Sequence, residues 1–224
     1  KNHLKELLAF DSISFNLLFE RAAITLLFGE LLSRVFKPHH SLIALPLMAA
    51  GIILGKLFLV DAQLNASIFL GFLIGIVSWW GIFRLSVDRR TAIVVAALLL
   101  AYSVQALAPF SLKDAPSSFG WLPFEGLLEG SMLVNIRSLA GNFLLFGSVL
   151  ILLRVAGSKL GAASVGLAFW VLCMELVQLF ISNRSGAISE PLLVFIAGQC
   201  LGVLDFSARS VTVKPDPAAN VEKK

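Results

Sequence analysis

Residues 160–181 read LGAASVGLAFWVLCMELVQLFI and contain a single charged side chain, Glu175. A helix crossing the ~30 Å hydrocarbon core needs about 20 mostly apolar residues, so this run has the length and composition of a membrane span. A carboxylate at mid-bilayer costs roughly 2.5–3.5 kcal/mol on insertion scales, and its presence demands a reason. Ser164, Ala168, Val171, Gln178 and Ser182 all fall within about 60° of Glu175 on an ideal helix. Phe169, Trp170, Leu172, Met174, Leu176, Leu179 and Phe180 cover the remaining faces. The polar, small-residue stripe is therefore expected to face the bundle or a wet cavity, and the apolar faces to meet lipid or pack.

The whole chain agrees with that segment. Of its 224 residues 58% are hydrophobic and 14% charged, with mean hydropathy +0.88, against about 45–50% and 25% in soluble domains. An all-α polytopic transmembrane bundle is expected, and a soluble enzyme is excluded. The net charge of +4 is too small an excess for a nucleic-acid binder. Six apolar runs are long enough to cross, approximately Ser41 to Val60, Leu64 to Phe83, Thr91 to Phe110, Ile136 to Leu153, Leu160 to Ile181 and Pro191 to Phe206. A seventh, Ser14 to Phe36, carries Asn16, Glu20, Glu30, Arg34 and Lys37 on one arc of about 100°. As an amphipathic helix it is expected to lie in the inner interface, or to cross only with that arc turned to the bundle.

Basic residues orient the spans. If residue 91 lies inside, eleven Lys and Arg fall in inside segments and four, Lys56, Lys113, Arg137 and Arg184, outside. An interfacial first helix adds Lys1, Lys5 and Arg21 to the inner side, giving both termini in the cytoplasm. The expected organisation is an amphipathic helix and linker (1–40), a two-span part (41–90), a four-span domain (91–206) and a mobile cytoplasmic tail (207–224). The start at Lys1 suggests a mature, trimmed or partial chain.

Ser131, Asn135, Ser138 and Asn142 share a helical face in the span before Glu175 and could bond to the Glu175 and Gln178 stripe. Gln105 with Tyr102, and Gln199, read as structural. The loop after Glu175 brings Arg184 and Glu190 to the outer mouth. Arg184 suits phosphate or carboxylate, but could equally pair with Glu175 or Glu190 or meet lipid headgroups. The outer loop holding Trp121, Pro123 and Phe124, followed by Glu125 to Glu129, reads as a re-entrant or interfacial lid. The ligand-binding candidates are thus Glu175, Gln178, Arg184, Glu190, Asn142 and Asn135. Cys173 and Cys200 read as inert buried thiols. Adjacent His39 and His40 have no third ligand nearby, so no metal and no cofactor are expected. Gly71-x-x-x-Gly75 and Gly198-x-x-x-Gly202 permit close helix approach.

Trp121-Leu-Pro-Phe124, Asn142-Phe-Leu-Leu-Phe146, Met174-Glu-Leu-Val-Gln-Leu-Phe180, Arg184, Gly186-Ala-Ile-Ser-Glu190 and the Gly198, Gly202 pair together resemble the VanZ-like family, over about half the chain (Thr91 to Asp205). Where the family's pattern has two aspartates this chain has Ala187 and Glu190, the proline expected near Ser148 is missing, and Val194 stands where an Asn is usual. Chemistry needing both acids would be lost or altered. The resemblance implies a bacterial inner-membrane protein of the cell envelope, a family sometimes linked with lower glycopeptide susceptibility.

Three functional expectations follow. The first is a non-enzymatic protein binding or moving a lipid-linked or amphipathic envelope molecule through a polar pocket around Glu175 and Arg184, with membrane lipids and a lipid-linked precursor as partners. The second is a scaffold or assembly subunit whose polar stripes and glycine pairs bind a membrane-protein partner or a second copy. The third, an intramembrane enzyme with Glu175 as general base, has no evident nucleophile or metal set beside it.

Overall fold

The computed structural model describes residues 14–58, 66–125 and 132–212. Among them are seven α-helices and no β-strand: α1 (Phe15–Val35), α2 (Pro38–Phe58), α3 (Ala66–Ile82), α4 (Val87–Leu107), α5 (Met132–Val155), α6 (Leu160–Gln178) and α7 (Ser189–Thr212). Three helices, α4, α5 and α6, are long and apolar enough to cross a membrane. The apolar parts of α2, α3 and α7 are shorter, at His40–Gly55, Ala66–Ile82 and Ser189–Leu204. The protein is an all-helical bundle suited to a membrane.

The interfacial placement of the first helix is corrected. Leu18 and Arg21 lie against Gly71, Ala22 and Thr25 against Gly75, and Gly29 against the Trp79 ring, so residue numbers rise together and α1 runs parallel to α3 inside the bundle. The contact is close because three glycines lack side chains. A Cβ on Gly71 would stand 2.7 Å from that of Arg21, and one on Gly29 2.5 Å from Trp79. The Gly71 pair thus serves packing within the chain, and α1 packs as part of the bundle.

What admits α1 to the bundle is the pairing of its polar arc. Glu30 is fully buried. Its Oε1 accepts from Arg34 Nε and Nη2 at 3.0 and 2.6 Å and from the Thr91 hydroxyl at 3.1 Å; Oε2 accepts from Arg90 Nε at 2.6 Å. Arg90 also donates to Ser33 Oγ at 3.1 Å, and its guanidinium lies over the rings of Trp79 and Phe83 at 5.1 and 5.5 Å. Satisfying the carboxylate on both oxygens offsets the desolvation that would otherwise expel it. The knot ties α1, α3 and α4 together at the end that also carries Arg84 and Arg89.

Helices α4 to α7 pack around Val94, Leu98, Phe146, Leu150, Val171 and Val194. A Cβ on Gly198 would collide with Ser164, so α6 and α7 also approach through a small residue. Helix α6 ends at Gln178 rather than Ile181, because the chain turns there to pair its backbone with the loop after α4. Helix α7 continues past the expected end at Phe206 to Thr212; the remainder of the expected mobile tail lies outside the described residues, as do residues 126–131 of the expected lid.

Candidate functional site

At the end of the bundle opposite the Glu30 knot, two loops close over α4 to α7. Lys113 and Ser117 donate their backbone N–H groups to Phe180 and Leu179 oxygens at 2.8 and 2.9 Å, and Ser182 donates to Ser111 at 2.7 Å. Gly120 donates to Gly186 at 2.9 Å and Ile188 to Gly120 at 3.0 Å. Backbone polar groups that have left a helix must find partners, and here each loop supplies the other's. The result is a cap that fixes residues 179–190 over the helix ends.

Under this cap is a cavity of about 370 Å³ lined by the end of α6 (Glu175, Gln178), the start of α5 (Asn135, Ser138, Asn142), the start of α7 (Ser189, Glu190) and the loop residues Phe124, Asn183 and Arg184. Its size is within the usual ligand range of about 300–1,000 Å³. All six ligand-binding candidates from the sequence meet there.

Both carboxylates are held on both oxygens. Glu175, 3% exposed, accepts from Gln178 Nε2 at 3.1 Å on Oε1 and from the Ala187 backbone N–H at 2.8 Å on Oε2. Glu190 accepts from Asn142 Nδ2 at 3.0 Å on Oε1 and from the Tyr102 hydroxyl at 2.6 Å on Oε2. The Glu175–Gln178 bond follows from i,i+3 spacing on one helix. Of the α5 stripe, Asn142 bonds to Glu190 and not to Glu175 or Gln178. Position 187 has no carboxylate, yet its N–H clamps one, so the cavity still holds two acids.

Arg184 has a different task from the one its type suggests. Its Nε donates to the Ala108 carbonyl at 2.9 Å and its Nη2 to the Gln105 carbonyl at 2.8 Å. Those are orphan carbonyls at the C-terminal end of α4, where a cation is favoured. Lys113 Nζ and Ser117 Oγ in turn donate to the Arg184 carbonyl at 2.7 and 3.2 Å. Arg184 lines the cavity but braces the cap against α4.

The expected lid divides. Phe124 lines the cavity with its backbone in the left-handed region (φ 60°), its N–H held by Ser189 Oγ at 2.8 Å. Trp121, 76% exposed, and Pro123 do not line it; Trp121 packs edge-on against Phe119 instead. The α6 stripe divides as well. Ser164 bonds the Leu160 carbonyl at 2.9 Å and packs on Gly198, so only its upper part, Glu175 and Gln178, belongs to the site. Tyr102, a lesser candidate from sequence that read as more structural than functional, does not line the cavity but holds Glu190, which does. Its signal was that the chain's one tyrosine sits within an apolar run. Cys173 is half-buried and Cys200 exposed, against the expectation of two buried thiols. Among the described residues no three His, Cys, Asp or Glu converge as metal ligands.

Comparison with models of protein families, with curated proteins and with solved structures finds no match for this chain. The arrangement must be read on its own chemistry. Two acceptor carboxylates, four amide side chains and several hydroxyls, with the neighbouring guanidinium bound to carbonyls, suit a polar molecule rich in N–H or O–H donors.

Proposed function

We propose that this chain is a multi-pass protein of the bacterial inner membrane that binds the polar group of a lipid-linked or amphipathic envelope molecule, without turning it over. The observation that carries this reading is the cavity around Glu175 and Glu190. Carboxylates are costly in a membrane protein, and this pair is built into a roomy, polar concavity at one end of the bundle. The resemblance to the VanZ-like family adds cell-envelope biology and a link to glycopeptide susceptibility.

In this reading α2 to α7 provide the six expected crossings and α1, packed among them, a seventh; the arginine-rich end of the knot faces the cytoplasm, and the cavity opens to the outer leaflet. The C-terminal segment is then cytoplasmic. Helix α1, parallel to α3, then starts at the outer side, a reversal of the expectation for that helix. Gly71, Gly75 and Gly198 are occupied by contacts within the chain, which favours binding over the scaffold alternative.

The test is native mass spectrometry of gently purified wild type, Glu175→Gln and Asn142→Leu. The expected result is a discrete amphiphile held by the wild type and retained about tenfold less by Asn142→Leu, which is ~1.4 kcal/mol. Equal retention by all three proteins would overturn the reading.

A further inference from the structure

A second cavity, of about 730 Å³, lies between α1, α4 and α5. Ser138 and Asn142 line both this groove and the polar cavity, so the two abut along one face of α5. They differ in chemistry. Away from the shared edge the groove is walled by Leu98 and Ala101 of α4, Ala23 and Ile24 of α1, and Gly141 and Leu145 of α5. Towards the ends of the helices near the cap it carries Arg21, Arg137 and Glu20.

Two observations point to an anionic amphiphile. The Nε of Arg21 is buried and has no hydrogen-bond partner, a costly state for a donor that a ligand oxygen would relieve. Among the described residues its acidic partner is Glu20, 3.4 Å from a different nitrogen, Nη2, and with Arg137 the described rim carries two guanidinium groups against one carboxylate. Gly141 has nothing within 4 Å of where a Cβ would be. The α5 wall is thus open where a chain would lie against it.

We infer that the groove between α1, α4 and α5 holds the hydrocarbon chain of an anionic membrane amphiphile, with its phosphate against Arg21 and Arg137. Apolar walls of this kind match a hydrocarbon chain by close packing, and a guanidinium pair fixes the phosphate. This inference rests on the preceding reading for the membrane setting, and it assigns the chain of the molecule where that reading assigns the polar group.

The full chain is reconstituted in phosphatidylcholine vesicles containing phosphatidylglycerol with a diazirine near the end of one acyl chain, irradiated, and mapped by peptide mass spectrometry. Label is expected to concentrate at residues 98–101 and 141–145. Gly141→Phe, which fills the groove, should abolish that concentration. Gly161→Phe, at a helix position equally free of neighbours, should leave it intact. The Arg21→Gln, Arg137→Gln double variant should lower it about tenfold. Label scattered evenly over the lipid-facing helices, or unchanged in Gly141→Phe, overturns the inference; the wild-type map decides even if a variant fails to fold. Glu175 lines only the polar cavity, so amphiphile loss in Glu175→Gln with scattered chain label sinks the groove alone. Groove labelling with identical retention in the cavity variants supports the groove and sinks the polar-group reading.

Discussion

Glu190 is held by Tyr102 and Asn142, each from a different helix, and its two oxygens offer a way to separate holding from binding. Tyr102→Phe removes one donor and leaves the ring, which packs edge-on against Phe146. Interhelical hydrogen bonds of this kind are worth about 1 kcal/mol in membrane proteins. A small fall in thermal stability in detergent is therefore expected; an unchanged melting temperature would mean that the bond contributes nothing to the fold. Arg184→Lys tests the brace. An ammonium group is a point donor and cannot reproduce the guanidinium's two directed bonds to Gln105 and Ala108. Backbone hydrogen exchange should accelerate in residues 108–120 and 179–188 while the helices keep their protection, and an unaltered exchange pattern would refute the bracing role. Residue type alone made Arg184 look like an anion clamp. Its actual partners are carbonyls exposed because α4 stops at Leu107, a fact of tertiary placement that no local pattern carries.

At the scale of elements, α1 is where sequence reading and structure part most. The polar arc of Glu30 and Arg34 was legible from helical periodicity, as were the six apolar runs and the close-approach glycines. What periodicity could not supply was the partner, since Arg90 lies sixty residues from Glu30 and joins it only because α3 brings α4 back alongside α1. An unpartnered arc belongs at an interface, whereas a paired one can enter a bundle. Two outcomes check the corrected placement. Gly75→Leu forces a side chain against Thr25 and should destabilise by about 1–3 kcal/mol, as overpacking does, read as a lower unfolding midpoint; a neutral result would argue that α1 is only loosely attached. With Cys173 and Cys200 replaced by Ala, a cysteine at Asn16 should react with a membrane-impermeant maleimide from outside intact cells. Labelling only after the membrane is opened would return α1 to the inner face.

The molecule as a whole has two unlike ends. Hydropathy predicted a bundle, and the α6 stripe predicted that something polar collects near Glu175. The division of labour between Glu175 and Glu190, and the grouping of Tyr102 with Asn142, depend on how four helices meet and so were beyond a reading of single segments. At the far end the Glu30 knot leaves a fully buried carboxylate that holds two guanidinium groups. Removing one partner from such a set costs about 3–5 kcal/mol, so Glu30→Ala should cost far more stability than any single change in the cavity, a ranking checked by chemical unfolding in detergent. If opening the knot costs a similar free energy, it is a rare event, found in roughly one molecule in 150 to 5,000 at any moment. The wild type is therefore expected to be electrically silent in a planar bilayer, and a steady conductance would show that these paired charges part readily.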